Sequence, residues 1–249
     1  MKITILCNDV AKSGFFAEHG LSLLIDDETI FDTGTSDVAV KNAEKLGVNF
    51  SKAKRIFISH GHYDHIGGLP NILAKTGKVD LYLHKKAIMP KYSGERFAGF
   101  SYKWKDIEKM ANVHLLDGDT DADGFTILND VQTVEENIDP NFKVNGRHDL
   151  FEDEINLIKD EILITGCAHR GIENIFQKAI EKHEIKMIIG GFHLINADIQ
   201  RIKSISRLFA DHDVKIVPLH CTGSVATDIF KETLGDKCLL KVAGDTFSE

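Results

Sequence analysis

An α/β fold is what this 249-residue sequence predicts, and two observations carry the expectation. From residue 155 onward, short runs rich in Ile, Leu and Val alternate with helical stretches, and the loop after each of three runs carries a histidine. Earlier, the apolar run Arg55-Ile56-Phe57-Ile58-Ser59 leads into His60-Gly61-His62-Tyr63-Asp64-His65 and then Gly67-Gly68-Leu69-Pro70. That order reads as strand, tight loop and helix.

The chain opens on a strand-like run, Met1–Leu6. Leu21–Ile25 and Thr29–Phe31 flank Asp26-Asp27-Glu28, which marks a hairpin. Val38, Ala39, Ala43 and Leu46 recur at helical spacing, with Ser36 as N-cap and Gly47 as stop. A helix near Leu69–Ala74 follows the histidine-rich loop, and Val79–Leu83 is a further strand. Residues from about 85 to 111 differ in character: Tyr92, Phe97, Phe100, Tyr102 and Trp104 sit in a basic, Gly-punctuated stretch. Two readings stand for it, an insertion that covers the active site or a surface excursion whose aromatics pack on the body. Short strands resume between Val113 and Val134, and a loop-rich stretch runs from about 135 to 154. The strands Ile155–Ile158 and Glu161–Thr165 come next. Gly166-Cys167-Ala168-His169 then precedes a helix over about 172–183. Lys186–Ile189 leads through Gly190-Gly191-Phe192-His193 to a helix over about 197–210, and Lys215–Leu219 through His220-Cys221-Thr222-Gly223 to another. Cys238–Val242 reads as the last strand.

The length suits one well-buried core, so a single domain over 1–249 is expected, carrying the insertion at about 85–111. A formal net charge of −8 disfavours nucleic acid as a partner, since its phosphates would be repelled. The first residues do not read as a signal peptide, and no apolar stretch approaches the roughly 18 residues that would span a bilayer. Cys7, Cys167, Cys221 and Cys238 show no C-x-x-C pairing and read as reduced thiols of a cytoplasmic protein. The expected partner is a small molecule; the oligomeric state is left open.

Four potential metal donors fall within the six residues His60–His65. A tight loop can turn His60 and His62 toward one ion, while Asp64 and His65 can serve a second beside it. Imidazole with some carboxylate suits zinc, and also iron or manganese. His169, His193 and His220, each at a strand end, are further candidates, because catalytic groups gather where such strands end. One ion is expected on His60, His62 and His169 and a second on Asp64 and His65. His193 reads as a group that contacts substrate or steadies a ligand, or else as a satisfied core histidine. Cys167 is a candidate ligand or a small buried residue; Cys221 reads as packing. Asp32 is expected to orient a histidine of the metal loop or to anchor that loop. His19, His84, His114, His183 and His212 read as solvated or structural, and the alternating Asp117, Asp119, Asp121 and Asp123 as a solvated turn.

The chain resembles the metallo-β-lactamase-fold superfamily along almost its whole length. The resemblance rests on Phe31-Asp32-Thr33-Gly34, His60-Gly61-His62-Tyr63-Asp64-His65, Gly67-Gly68 and the later strand-end histidines. It implies a four-layer αβ/βα sandwich, two mixed sheets flanked by helices with metals at the sheet edges. It also implies that His220, the last strand-end histidine, joins Asp64 and His65 on the second ion. Thr165–Ile172, Gly190–Leu194, His220–Gly223 and Glu18–Ser22 resemble a narrower branch, the dihydropterin-ribofuranosyl-aminobenzene-phosphate synthase family of methanopterin formation. Hydrolases of this fold usually place a metal-bridging Asp after the strand equivalent to Ile162–Thr165. Gly166-Cys167 stands there instead, so either Cys167 is a thiolate ligand or no bridge exists. His148 lies where the usual loop histidine would fall, and His169 sits in the branch-specific run; His169 is the favoured third histidine.

The function implied is that of a metal-dependent hydrolase or transferase acting on a small anionic substrate, phosphorylated or pterin-like. Asp64 would accept a proton as well as bind metal, and His193 would donate to the oxyanion or leaving oxygen. The alternatives are a metal-binding or ligand-sensing protein of the same fold with little turnover, and a di-iron redox protein.

Overall fold

The structure, a computed structural model, describes residues 1–134 and 138–249. It divides into two compact units. The first comprises Met1–Asp117, Asp139–Glu154 and Val242–Glu249, and the second Gly118–Ile138 and Ile155–Lys241. No helix among the described residues is long and apolar enough to cross a membrane.

In the first unit, β1 (Lys2–Cys7), β2 (Ser22–Ile25), β3 (Thr29–Phe31), β4 (Arg55–Ile58), β5 (Asp80–His84), β8 (Asn112–Leu116) and β17 (Thr246–Ser248) form one sheet in the order β17-β1-β2-β3-β4-β5-β8. The β2–β3 hairpin closes through Asp26 and Asp27, both in the left-handed region that such turns need. From β3 onward neighbours run parallel. Ile56 and Ile58 on β4, and Leu81 and Leu83 on β5, are two apart and so share a face. That face packs on Ala39, Val40 and Ala43 of α1 (Val38–Lys45), Ile72 and Leu73 of α3 (Leu69–Thr76) and Ile107 of α4 (Trp104–Met110). The stretch 85–111 contributes β6 (Lys91–Ser93), β7 (Arg96–Phe97) and α4. Its two strands join β11 (Phe142–Val144) and β12 (Arg147–His148) in a small sheet of order β12-β11-β6-β7.

In the second unit, β9 (Thr120–Ala122), β10 (Phe125–Leu128), β13 (Asn156–Lys159), β14 (Ile162–Thr165), β15 (Met187–Gly191) and β16 (Lys215–Leu219) are ordered β16-β15-β14-β13-β10-β9. β14, β15 and β16 are mutually parallel, with Thr165 opposite Gly190 and Gly191 opposite Leu219, so their C-terminal ends align. α5 (Ile172–Ile180) buries Ile172, Ile175, Phe176 and Ala179, the i, i+3, i+4, i+7 stripe of a helix lying on a sheet. α6 (Ile199–Asp211) begins at Asp198, whose carboxylate accepts the Gln200 and Arg201 backbone N–H groups. α7 (Ser224–Leu234) adds Ala226, Phe230 and Leu234 to the same core.

Four features differ from what the sequence predicts. Ser36 does not cap α1: its hydroxyl donates to Glu18 Oε2 at 2.5 Å, and Asp37 occupies the cap position without a side-chain cap bond. The 135–154 stretch carries the β11–β12 hairpin, while its residues 135–137 lie outside the described residues. Cys238–Val242 is not a strand; Cys238 makes only an isolated bridge to Ile216 and Leu240 is exposed. The last strand is β17, paired antiparallel with β1.

The second unit's core supplies a stability prediction. Phe209 is fully buried, and its ring meets those of Phe176, Phe192 and Phe230 at 5.5–6.1 Å between centroids. Phe209→Ala is expected to cost about 3–5 kcal/mol, read as a lowered urea midpoint. A loss below about 1 kcal/mol would mean that this ring cluster does not hold the helices to the sheet.

Candidate metal centre

The first donor set is built where β3 and β4 end side by side. After β3 the chain turns at Asp32, held in the left-handed region at φ 57°. Its buried carboxylate accepts the Ser59 backbone N–H on Oδ1 at 2.7 Å. Oδ2 accepts the Ser59 hydroxyl at 2.7 Å and His65 Nδ1 at 2.6 Å. Ser59 Oγ, its proton committed to Asp32, faces His60 Nδ1 at 2.9 Å and so accepts from it. This network assigns the Nδ1–H tautomer to both His60 and His65 and places their ring lone pairs on Nε2. Asp32 therefore does what the sequence expected of it, orienting a histidine of the loop.

His62 stands at the N-cap of α2 (Tyr63–Ile66), whose single turn carries Asp64 and His65. Its ring packs beside Phe142 and Phe151. Donor atoms of His60 lie within 4.8 Å of those of His62 and of His65, and His65 Nε2 is 3.8 Å from Asp64 Oδ2. All four residues are buried. Burial, followed by the neighbouring His65 and His62, pushes His60 well below its ordinary range. Burial likewise lowers His62 to about 3. Both imidazoles are thus neutral, the form that binds metal. Two oriented imidazoles, a third beside them and a carboxylate fit a divalent ion of the zinc type.

The loop is fastened from behind by the 85–111 stretch. Gly61 donates its N–H to Asp153 Oδ2 at 2.8 Å. A Cβ there would lie 1.9 Å from the Ala87 carbonyl oxygen, so only glycine fits. Asp153 Oδ1 in turn accepts from Lys91 Nζ at 2.8 Å, and Lys91 also donates to Asp149 at 2.6 Å. All three charges are buried. Burial opposes ionisation of Lys91, but the two carboxylates outweigh it and raise the amine. Burial opposes ionisation of Asp153 too, and Lys91 outweighs it. Tyr63 N–H donates to the Ala98 carbonyl at 2.9 Å, and the Arg96 guanidinium sits 5.2 Å from the Tyr63 ring centre. Two cavities flank these contacts. One of ≈ 580 Å³ is lined by Lys86, Lys91, Arg147, His148 and Asp153 among others. A smaller one of ≈ 290 Å³ is lined by Thr35, Tyr63, Arg96, Phe97 and Tyr102 among others.

The second unit holds its own donors at the aligned ends of β14, β15 and β16. Donor atoms of Cys167, His169 and His193 lie within 4.8 Å of one another, as do those of Cys167, His220 and Cys221. The His169 and His193 rings are 4.1 Å apart at their centres. His193 and His220 both adopt φ 46°, and Ala168 φ 57°, conformations unusual for side-chain-bearing residues and concentrated at functional sites. Burial alone would raise the Cys221 thiol. The hydrogen bond with Cys167 and the nearby His220 and His193 outweigh it and bring Cys221 well below its usual range.

Every residue singled out for the site thus falls into one of these two donor sets, except His148, which lines the larger cavity. Three partners go beyond what the sequence predicts. His19 reaches Asp64 Oδ2 with Nε2 at 3.2 Å and Asp9 with Nδ1 at 2.8 Å. Its only sequence signal is its place in the Glu18–Ser22 run just before β2. Lys91 and its two aspartates are about sixty positions apart and leave no local pattern. Cys221 reads as packing, although it follows a strand end as Cys167 does.

These neutral histidines make the metal-free fold acid-sensitive. His62 protonates near 6.5 when unfolded and near 3 when folded, so the unfolded chain binds the extra proton between those values. Its contribution is complete above about pH 6.5 and is lost as pH falls, at about 1.4 kcal/mol per pH unit. Urea midpoints of chelator-treated protein at about pH 6.5 and about pH 4.5 are expected to show this loss. The loss should be smaller in His62→Gln; an equal slope in both proteins would contradict the assignment.

Comparison with known proteins agrees with this geometry. Residues 18–179 match the metallo-beta-lactamase superfamily profile. The 7,8-dihydropterin-6-methyl-4-(beta-D-ribofuranosyl)-aminobenzene-5'-phosphate synthase of Methanocaldococcus jannaschii is 33% identical, with 93% of this chain and 91% of that protein covered. The crystal structure of Tm1679, described as a metal-dependent hydrolase of the beta-lactamase superfamily, superposes with a TM-score of 0.88 at 39% identity, covering 100% and 99% of the two chains. Human tRNase Z, short form, shares the fold at a TM-score of 0.57 and 16% identity, covering 100% and 99%. The chain belongs to the metallo-β-lactamase superfamily and has its fold.

Proposed function

We propose that this protein is a metal-dependent hydrolase or transferase acting on a small anionic substrate, phosphorylated or pterin-like. The observation that carries the reading is the pair of buried histidines, His60 and His65, oriented through Nδ1 by Ser59 and Asp32 so that Nε2 is the lone-pair nitrogen of each ring. That device has little purpose in a core without metal. The ligands proposed are His60, His62, Asp64 and His65 of the first unit and His169 and His220 of the second, with Cys167 a further donor. Zinc is the ion that this mixture of imidazole, carboxylate and thiol suits best, ahead of iron or manganese. When bound, such an ion acidifies water and offsets negative charge on the reacting group.

The chain's own groups have separate tasks. Asp64, beside His65 and His19, is proposed to accept the proton. His193 donates to the developing oxyanion or the leaving oxygen. Lys86, Arg147 and His148 in the larger cavity supply cationic and hydrogen-bonding groups for a phosphate. Tyr63, Phe97 and Tyr102 in the smaller one offer faces for a flat ring. The similarity to the M. jannaschii synthase supports a pterin and a transfer reaction; the similarity to Tm1679 supports hydrolysis. The second reading, a ligand-sensing protein with little turnover, is favoured by one feature, the thiol of Cys167 where hydrolases of the fold carry the bridging carboxylate.

Elemental analysis and turnover of a generic phosphodiester test the proposal together. The native protein is expected to retain one or two zinc ions per chain and to hydrolyse bis(p-nitrophenyl) phosphate. His60→Ala should lose most of the metal and the activity while keeping its far-UV spectrum. Unchanged metal in that variant would remove the reading. Bound metal with no turnover, but saturable binding of a phosphorylated ligand, would select the sensing protein.

A further inference from the structure

We infer that Cys167 and Cys221 form a reversible dithiol–disulfide couple that gates the metal donors of the second unit. The two sulfurs lie 3.2 Å apart and share a hydrogen bond. That approach is not a by-product of strand pairing. Cys167 follows β14 and Cys221 follows β16, and β15 lies between them. With neighbouring strands about 4.8 Å apart, the backbones of β14 and β16 are separated by roughly twice that.

The sulfurs meet because both segments bend over the end of β15, and two features allow it. Ala168 and His220, each next to one cysteine, take the left-handed conformation. Gly191, which ends β15, has no side chain: a Cβ there would lie 2.7 Å from Cys221 Sγ and 3.4 Å from Cys167 Cα. Backbone hydrogen bonds hold the arrangement. Gly191 donates to the Gly166 carbonyl at 3.0 Å and Leu194 to the Cys221 carbonyl at 3.2 Å. Closing the gap to a disulfide length of about 2.05 Å brings the sulfurs together by little more than about 1 Å.

Both residues are buried, at 2% and 6% exposure, which restricts the oxidant to a small one. A hydroperoxide meets that requirement. One thiolate attacks the peroxide oxygen, giving a sulfenic acid and releasing water or an alcohol. The second thiol displaces the sulfenic oxygen as water, forming the S–S bond. Two electrons and two thiol protons pass to the peroxide, and a small dithiol reverses the process by exchange. Donor atoms of His220, His169 and His193 lie within 4.8 Å of Cys167. The disulfide therefore withdraws two soft donors from their midst. This gating half rests on the metal reading above; the disulfide itself does not.

Mass spectrometry of the native protein tests both halves. Trypsin separates the cysteines into Asp160–Arg170 and Ile216–Lys231. After hydrogen peroxide, and without reductant, these two peptides are expected as one cross-linked species lacking two hydrogens, which dithiothreitol splits. Cys167→Ser and Cys221→Ser should each abolish it. Separate sulfinic acids on the two cysteines, or unmodified thiols, would overturn the couple. Metal content should fall when the link forms and return when metal is resupplied after reduction. A complete link with metal retained would overturn the gating, and leave the metal reading to stand or fall on His60→Ala.

Discussion

One buried carboxylate organises the histidine loop. Asp32 accepts three hydrogen bonds, from the Ser59 N–H, the Ser59 hydroxyl and His65 Nδ1. A carboxylate without water is costly unless its oxygens are satisfied, and here the satisfying groups come from the loop that carries the proposed metal donors. The constraint works in both directions. The loop pays for burial of the carboxylate, and the carboxylate fixes the tautomer of two imidazoles before any ion arrives. Its position follows from the parallel pairing of β3 and β4, which sets Asp32 beside Ser59 at one sheet edge.

The second unit solves a similar problem differently. Three parallel strands end in register, and histidines follow each of them at or just beyond a left-handed residue. Strained turns at the ends of parallel strands aim side chains away from the sheet, where loops can build a site on a rigid base. The 85–111 stretch adds rigidity to the first unit. Its Lys91 is neutralised by Asp149 and Asp153, and Asp153 reaches the loop at Gly61. Removing one member of such a buried set leaves an uncompensated charge, so the set holds the loop in one position.

Much of this was legible in the sequence because the signals are local. The strand–loop–helix around His60–His65, the stripe of α5 and the strand-end positions of His169, His193 and His220 are all short-range patterns. One signal was present and unread: Asn145-Gly146, both left-handed, is a strong two-residue hairpin turn and closes β11 onto β12. Ser36 has the look of an N-cap because the sequence does not show that Glu18 takes its hydroxyl. Cys238–Val242 looked apolar enough for a strand, yet only Cys238 pairs. Partners far apart in the chain left no trace at all, as with Lys91 and its aspartates or the meeting of Cys167 and Cys221 above Gly191.

The most direct measurement of the Asp32 constraint is zinc affinity in Asp32→Asn, by competition with a chromophoric chelator. The amide keeps the volume and removes the charge that holds His65 Nδ1–H. Affinity is predicted to fall about 10–100-fold, while a circular-dichroism spectrum like that of the native protein shows the fold intact. Native affinity in a folded Asp32→Asn protein would show that the carboxylate does not set the metal site.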